Sequence, residues 1–203
     1  MPVFALTGNL GCGKTTALML LKKKGASVLD IDEAIHNYYK DKKNNIYKKI
    51  SALFPEAVAK RAIDRKKLGQ IVFSDKKKLK MLEAIVHPVA IRDLKSWVKD
   101  SKQMHKVSIA EVPLLFEKNL EGIFDGTILV YTEKGVLLKR IINKLKLSKA
   151  AMRQRLSAFE PFSEKNKKAD FIINNSFGME TLKREIDSLW GELEKYEHKC
   201  PRI

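Results

Sequence analysis

Short apolar runs alternate with longer amphipathic stretches at both ends of the chain, and the middle third follows a different rhythm. Val3-Phe4-Ala5-Leu6 reads as a buried strand, and the stretch behind it, from Thr16 through Lys22-Lys23-Lys24 to Gly25, is a good helix former. Residues 26–30 read as a second strand that ends in Asp30-Ile31-Asp32, and further strands fall at 107–112, 127–131 and 171–174. Thr132 suits the N-cap of a helix running to about residue 145, and Ser148 suits the cap of another through residue 158. A C-terminal helix over roughly 179–196 carries Leu182, Ile186, Leu189, Trp190 and Leu193 on one face. Strands alternating with helices of this length predict βαβ units and an α/β fold on a parallel sheet of five strands.

From residue 33 to about 102 the period is helical, without a convincing strand. Segments 44–54, 64–73, 75–86 and 88–99 each show it, Leu79, Leu82, Ile85 and Val86 being one example, and Pro55 and Pro88 punctuate them. About seventy residues of helix between two sheet strands predict an insertion. The expected organisation is a single domain over 1–203. Its core is 1–32 and 105–203, its helical insertion about 33–104, and a lid lies at about 140–168.

Between the first strand and the first helix stands Gly8-Asn9-Leu10-Gly11-Cys12-Gly13-Lys14-Thr15, which fits G-x-x-x-x-G-K-[ST]. Strand, glycine loop and helix N-terminus together make a phosphate cradle. The loop's N–H groups turn inward, the macrodipole favours an anion, and glycine lets backbone approach phosphate. Lys14 is expected to reach the β- and γ-phosphates of a nucleotide and the Thr15 hydroxyl to hold Mg²⁺, with Thr16 completing the contact. The motif specifies nucleotide binding and leaves the reaction open.

Composition narrows the field little. Hydrophobic residues make up 44% of the chain, enough for a packed core. Cys12 and Cys200 show neither disulfide nor metal spacing, which fits a reducing cytoplasm. No apolar run approaches a membrane span, and no charged leader precedes the first strand. Forty Lys and Arg against 24 Asp and Glu give a net charge of +16, a balance that invites a polyanion. The lysines are scattered in short groups, however, and read as solvated faces without a specific nucleic-acid partner.

Asp32 lies just past the second strand, where open α/β sheets bind their ligands. A carboxylate there can accept a proton from an attacking hydroxyl or help order Mg²⁺, or it can cap the following helix; Asp30 shares its side if the strand continues. Segment 140–168 is densely basic, carrying Arg140, Lys144, Lys146, Lys149, Arg153, Arg155, Lys165, Lys167 and Lys168 against Glu160 and Glu164. It reads as a lid whose cations close over phosphates, Arg140 and Arg155 being favoured for their guanidinium forks. His87-Pro88 closes a helix, and Arg65 either binds a substrate phosphate or pairs with Asp64. His36, His105 and His198 have no partners in sequence, and no metal cluster is visible.

Taken in order, these pieces resemble the dephospho-CoA kinase family over nearly the whole chain. The resemblance rests on the phosphate loop, Asp30-Ile31-Asp32, Asp64-Arg65 with Val72-Phe73, and Leu82 to Pro88. Val112-Pro113-Leu114-Leu115-Phe116-Glu117 and Ala169-Asp170-Phe171-Ile172-Ile173-Asn174-Asn175-Ser176 complete it. It implies a three-layer P-loop kinase fold, a helical substrate-binding subdomain and a lid. The implied reaction is ATP- and Mg²⁺-dependent phosphorylation of the ribose 3′-hydroxyl of dephospho-CoA, the last step of coenzyme A synthesis. By the same resemblance Asp32 is the base, Arg65 and His87 lie on the acceptor side, Arg140 belongs to the lid, and Asn175 lies near the adenine end. The protein implied is cytoplasmic, a monomer or weak homo-oligomer, with no membrane partner. Asn9 stands for a usual glycine, Cys12 for a serine, Lys144 for a lid arginine, Phe159 for a glutamine and Glu111 for an aspartate. Rival readings are another small-molecule or nucleoside monophosphate kinase, and a nucleotide-binding regulatory protein with little transfer. If the lysine excess is a solvated face, duplex DNA should bind weakly and let go at moderate salt in a labelled-duplex titration. A sub-micromolar, sequence-selective complex at physiological salt would revive the regulatory reading.

Overall fold

The computed structural model describes residues 1–59, 62–104, 106–145 and 159–196, with 144 and 145 described by backbone alone. The chain divides into two compact units. One is formed by residues 1–30 and 97–203, the other by 31–96.

The first unit is built on β1 (Val3–Thr7), a strand buried along its whole length. It is followed by α1 (Lys14–Lys24) and β2 (Ser27–Asp30). Helix α1 stops because Gly25 adopts φ 113°, its N–H bonding Lys22 O while Ala26 N–H bonds Leu21 O, and Lys22, Lys23 and Lys24 offset the negative end of the dipole. The four residues of β2 lead with no intervening loop into α2 (Ile31–Tyr38), which opens the second unit. That unit continues with α3 (Asn45–Leu53), a two-residue antiparallel hairpin of β3 (Val58–Ala59) and β4 (Ala62–Ile63), α4 (Arg65–Phe73) and most of α5 (Lys76–Ser101). The first unit resumes with β5 (Ser108–Glu111), β6 (Gly126–Tyr131), α6 (Lys134–Leu145), α7 (Phe162–Lys168), β7 (Phe171–Asn174) and α8 (Met179–Glu194).

The five strands expected from the sequence pair in parallel in the order β2-β5-β1-β6-β7. With β1 in the centre, the chain departs to one side through β2 and to the other through β6 and β7. The C-terminal end of β1 is therefore the switch point where such sheets take their ligands. Phe4, Leu6, Ile109, Ile128, Val130 and Ile173 share one face and pack with Ala17, Leu18 and Leu21 of α1 and Leu182, Ile186, Leu189 and Leu193 of α8. Phe4 meets Tyr196 and Phe171 edge-on, with ring centroids 5.0 and 5.9 Å away.

The second unit has its own core of Ile35, Tyr39, Ile46, Tyr47, Ile50, Phe54, Leu68 and Val72. Asn44 Oδ1 caps α3 and Asp64 Oδ1 caps α4, accepting the N–H groups of Lys66 and Lys67 at 2.9 and 3.1 Å. Capping is thus what the Asp64 carboxylate does next to Arg65.

Three local expectations fail. Residues 75–86 and 88–99 are not two helices but one of 26 residues that passes through Pro88. Proline removes a hydrogen bond to the Ala84 carbonyl, a cost of about 3 kcal/mol, yet Leu79, Leu82, Ile85, Val86, Val89 and Ala90 keep packing on the same core on both sides of it. Continuous burial outweighs the break, so His87 sits within a helix instead of closing one. The middle of the chain also contains the small hairpin of β3 and β4, too short to show a period. Thr132 does not cap α6; its hydroxyl bonds the carbonyls of Cys12 and Asn175 at 3.0 and 3.3 Å. The helix expected over 148–158 lies outside the described residues. Among those that are described, no helix is long and apolar enough to cross a membrane.

Phe4 tests the packing of the central strand. Phe4→Ala should cost about 3–5 kcal/mol, the usual loss for a fully buried phenylalanine, read as a lower midpoint in urea unfolding.

Candidate active site

The loop that follows β1 turns where no side chain fits. Gly8 has φ 147°, and a Cβ on it would collide with Val130 O and Cys12 Sγ. Gly13 has φ 95°, and a Cβ there would collide with Asn175 Nδ2. The loop is pinned from outside by two side chains that converge on one carbonyl. Asn175 Nδ2 donates to Cys12 O at 2.8 Å, and the Thr132 hydroxyl reaches the same oxygen. Arg140 Nη1 in turn donates to Thr132 Oγ1 at 3.3 Å. Asn175 and Arg140, chosen from sequence, are thus brought to the loop by β7 and α6. Thr132, which links them, was read there only as a helix cap.

Lys14 opens α1 and is buried to 8% exposure, its ammonium resting on the carbonyls of Gly8 and Asn9 at 3.0 and 3.2 Å. Leu10 and Gly11 are half-buried along the loop, and Thr15 and Thr16 are exposed on the first turn of the helix. Thr15 Oγ1 donates to Glu111 Oε1 at 3.4 Å. Glu111 ends β5 and is in register with Leu6 on one side and Asp30 on the other, so parallel pairing puts both carboxylates on one face of the sheet edge. A hydroxyl and a carboxylate are hard oxygen donors of the kind Mg²⁺ takes, with phosphate and water completing its shell. Among the described residues no cluster of three or more His, Cys, Asp or Glu offers a denser metal cage. In the sequence Glu111 stands out only as an exchanged residue; its meeting with Thr15 follows from the register of β5 against β1, which carries no local signal.

The acceptor-side candidates belong to the second unit. Strand β2 stops at Asp30, so Asp32 does not continue its alternation; it is exposed in the first turn of α2. Arg65 is the exposed first residue of α4, and His87 is half-buried within α5. Asp32 and Arg65 act on a common neighbour. The Tyr39 phenol is pushed up to about 12, mainly by burial, with the Asp32 charge adding to the shift and Arg65 opposing it. The edge of the His36 ring also meets Tyr39, 5.4 Å between centroids.

Three more cations of the expected lid have carboxylate partners. Lys167 pairs with Glu164 and Lys168 with Glu160, both at 3.0 Å, while Lys165 is wholly buried 2.8 Å from Glu117. The side chains of Lys144, Lys146, Lys149, Arg153 and Arg155 lie outside the described residues, as do His105, His198 and Cys200.

A phosphate loop joining the central strand of a parallel sheet to its first helix, with Lys14 and Thr15 on that helix, defines a P-loop nucleotide-binding protein. A family model described as dephospho-CoA kinase matches residues 2–181. The dephospho-CoA kinase of Thermus thermophilus is 36% identical over 191 residues, which are 94% of this chain and 91% of that protein. A solved Thermus thermophilus structure superposes with a TM-score of 0.73 at 36% identity, covering 95% of this chain and 97% of the other. The solved dephospho-CoA kinase of Campylobacter jejuni gives a TM-score of 0.67 at 29% identity, covering 96% and 98%. The chain belongs to the dephospho-CoA kinase family.

Cys12 is a free cysteine at the heart of this loop, and burial raises its thiol pKa above the ordinary 9.0, against the lowering effect of Lys14. The neutral form is the one that folding favours. Its contribution is therefore complete below the ordinary thiol pKa and is lost as pH climbs through the raised folded value. In a Cys200→Ser background, native protein should alkylate far more slowly than urea-unfolded protein, with a pH–rate profile displaced upward. Rapid labelling at neutral pH would contradict the buried, protonated thiol.

Proposed function

We propose that the chain transfers the γ-phosphoryl group of ATP to the ribose 3′-hydroxyl of dephospho-CoA, giving coenzyme A and ADP. The observation that carries this reading is the fully formed phosphate loop, with Lys14 poised on its carbonyls, in a chain of this family.

The triphosphate lies along the loop's N–H groups at the positive end of α1, where backbone and macrodipole both favour an anion. Lys14 exchanges the carbonyls of Gly8 and Asn9 for phosphate oxygens, so that a charged acceptor replaces neutral ones. Thr15 and Glu111 would hold Mg²⁺, which supplies charge neutralisation at the β- and γ-phosphates. The acceptor oxygen attacks the γ-phosphorus in line. A bond forms to that oxygen while the bond from phosphorus to the β–γ bridging oxygen breaks, and ADP leaves with the bridging oxygen. The hydroxyl proton passes to the Asp32 carboxylate as the base. Arg140 offers a guanidinium fork to the charge spread over the transferring group, and its contact to Thr132 ties it to the loop. Arg65 and His87 bind the acceptor, and Asn175 fixes the adenine end of the cradle. The protein acts in the cytoplasm, where a free thiol such as Cys12 persists, as a monomer or weak homo-oligomer and without a specific nucleic-acid partner.

Asp32→Asn should bind both substrates nearly as the wild type does and lose about 10²–10⁴-fold in kcat, the usual weight of a general base. Lys14→Ala should weaken ATP binding as well, because that ammonium meets phosphate in ground and transition states alike. Mass spectrometry should find one phosphate added at the 3′ position. Equal turnover of a nucleoside monophosphate would refute the acceptor assignment, and a near-normal kcat in Asp32→Asn would reduce that carboxylate to a helix-terminal charge.

A further inference from the structure

Lys165 plays no part in the reaction as written, yet it is the most deeply buried cation among the described residues, with 0% exposure. Its neighbours on α7, Lys167 and Lys168, keep their ammonium groups in water with surface partners. An ammonium withdrawn from water is costly unless it is paired and hydrogen-bonded. Lys165 has the pair, Glu117 Oε1 at 2.8 Å, and the face of Phe159, 5.1 Å from its centroid. That carboxylate oxygen is shared, since it also accepts the Glu160 N–H at 2.8 Å. The ion pair falls outside hydrogen-bond geometry, so among the described residues no acceptor takes a hydrogen bond from Lys165 Nζ.

Glu117 Oε2 is likewise buried without a hydrogen-bond partner among the described residues, and a further unsatisfied acceptor borders Lys165. Lys165 lines a cavity of about 30 Å³ together with Asn9, Cys12, Tyr131, Thr132 and Phe162. Asn9 belongs to the phosphate loop, and its Oδ1 is buried with no hydrogen-bond partner among the described residues. A charged donor and an amide acceptor, both unsatisfied, therefore border one cavity whose volume suffices for a single water. Buried polar groups are rarely left so, and each such exception needs a reason. The Lys165 charge is also felt by the neighbouring Cys12 thiol, whose pKa it lowers against the larger effect of burial.

We propose that Lys165 is a positioning residue for the phosphate loop: anchored on Glu117, its ammonium donates to the Asn9 side chain through one water in the cavity. The Asn9 carbonyl accepts the Cys12 N–H at 3.2 Å, and Lys14 adds a second donor only while its ammonium rests on the loop. When Lys14 turns to phosphate, the tie from Lys165 keeps Asn9 in place, so the loop meets the triphosphate already ordered. The inference rests on the kinase reading only in that the loop receives the triphosphate.

The test is the dissociation constants of MgATP and of dephospho-CoA, with melting temperatures, for wild type, Lys165→Met, Asn9→Ala and the two combined. Lys165→Met should weaken MgATP about tenfold, the weight of one charge-assisted hydrogen bond, and leave dephospho-CoA within about twofold. Asn9→Ala should do the same, and the combined variant should lose no more than either alone, because both remove one interaction. A purely structural lysine predicts another result: a lower melting temperature, with MgATP affinity well below that temperature unchanged, or losses that simply add. Either finding overturns the proposal. Lys165→Met/Glu117→Leu replaces the pair by apolar side chains, a change that buried ion pairs commonly tolerate, and guards against failure to fold. It should show the same loss for MgATP, and normal affinity in it also overturns the proposal. A wild type that binds MgATP but does not phosphorylate dephospho-CoA would remove the proposed function and leave the Lys165 result standing. Active enzyme with unchanged MgATP binding in the variants would remove the positioning role alone.

Discussion

The structure depends on a backbone that passes where no side chain has room. Gly8 leaves β1 against the carbonyl of Val130, and Gly13 enters α1 against the amide of Asn175. Both positions demand positive φ as well as space, so glycine is required twice over. The strands on the β6 side, and the residues just past their ends, must then come close enough to fill those contacts. The parallel register from β1 through β6 to β7 does this, bringing Val130, Thr132 and Asn175 against one turn of chain. The other side of β1 brings Glu111 level with the Thr15 hydroxyl. A phosphate cradle made of backbone groups is only as well aligned as the sheet beneath it, and here the sheet, the glycines and the pinning side chains agree.

Charge is distributed by the same packing. The net charge of +16 is an attribute of composition, but its members have separate fates. Lys22, Lys23 and Lys24 oppose the end of α1, and Lys24 pairs with Asp187 on α8. Lys167, Lys168 and Lys183 form surface pairs that contribute little to stability individually. Lys14 and Lys165 alone among the described lysines are buried, one on the loop's own carbonyls and the other against Glu117. In the sequence Lys165 falls among the lid cations expected to close over phosphates, because three lysines within four positions look alike before a helix face is assigned. Packing sorts them.

The second unit shows how burial overrides local preference. A proline inside a helix normally ends it, and the pair His87-Pro88 was read that way. The helix runs on because its apolar positions before and after Pro88 serve one core. The hairpin of β3 and β4 was invisible for the opposite reason: two residues per strand cannot establish a period of two.

The sequence by itself determined the strands of the sheet, the phosphate loop and the family. Each of these is written in consecutive residues: an apolar run, a spaced set of glycines with Lys14 and Thr15, a few short motifs in fixed order. Only the tertiary structure decided which distant groups complete the site. Asn175 reaches Cys12 across 163 positions, Glu111 reaches Thr15 across 96, and Lys165 finds Glu117 through the return of α7. Such meetings are set by strand order and register, which follow from the burial of whole faces rather than from any local signal. A side chain's partner is then a property of the sheet, and no stretch of sequence around Glu111, Thr132 or Lys165 records it.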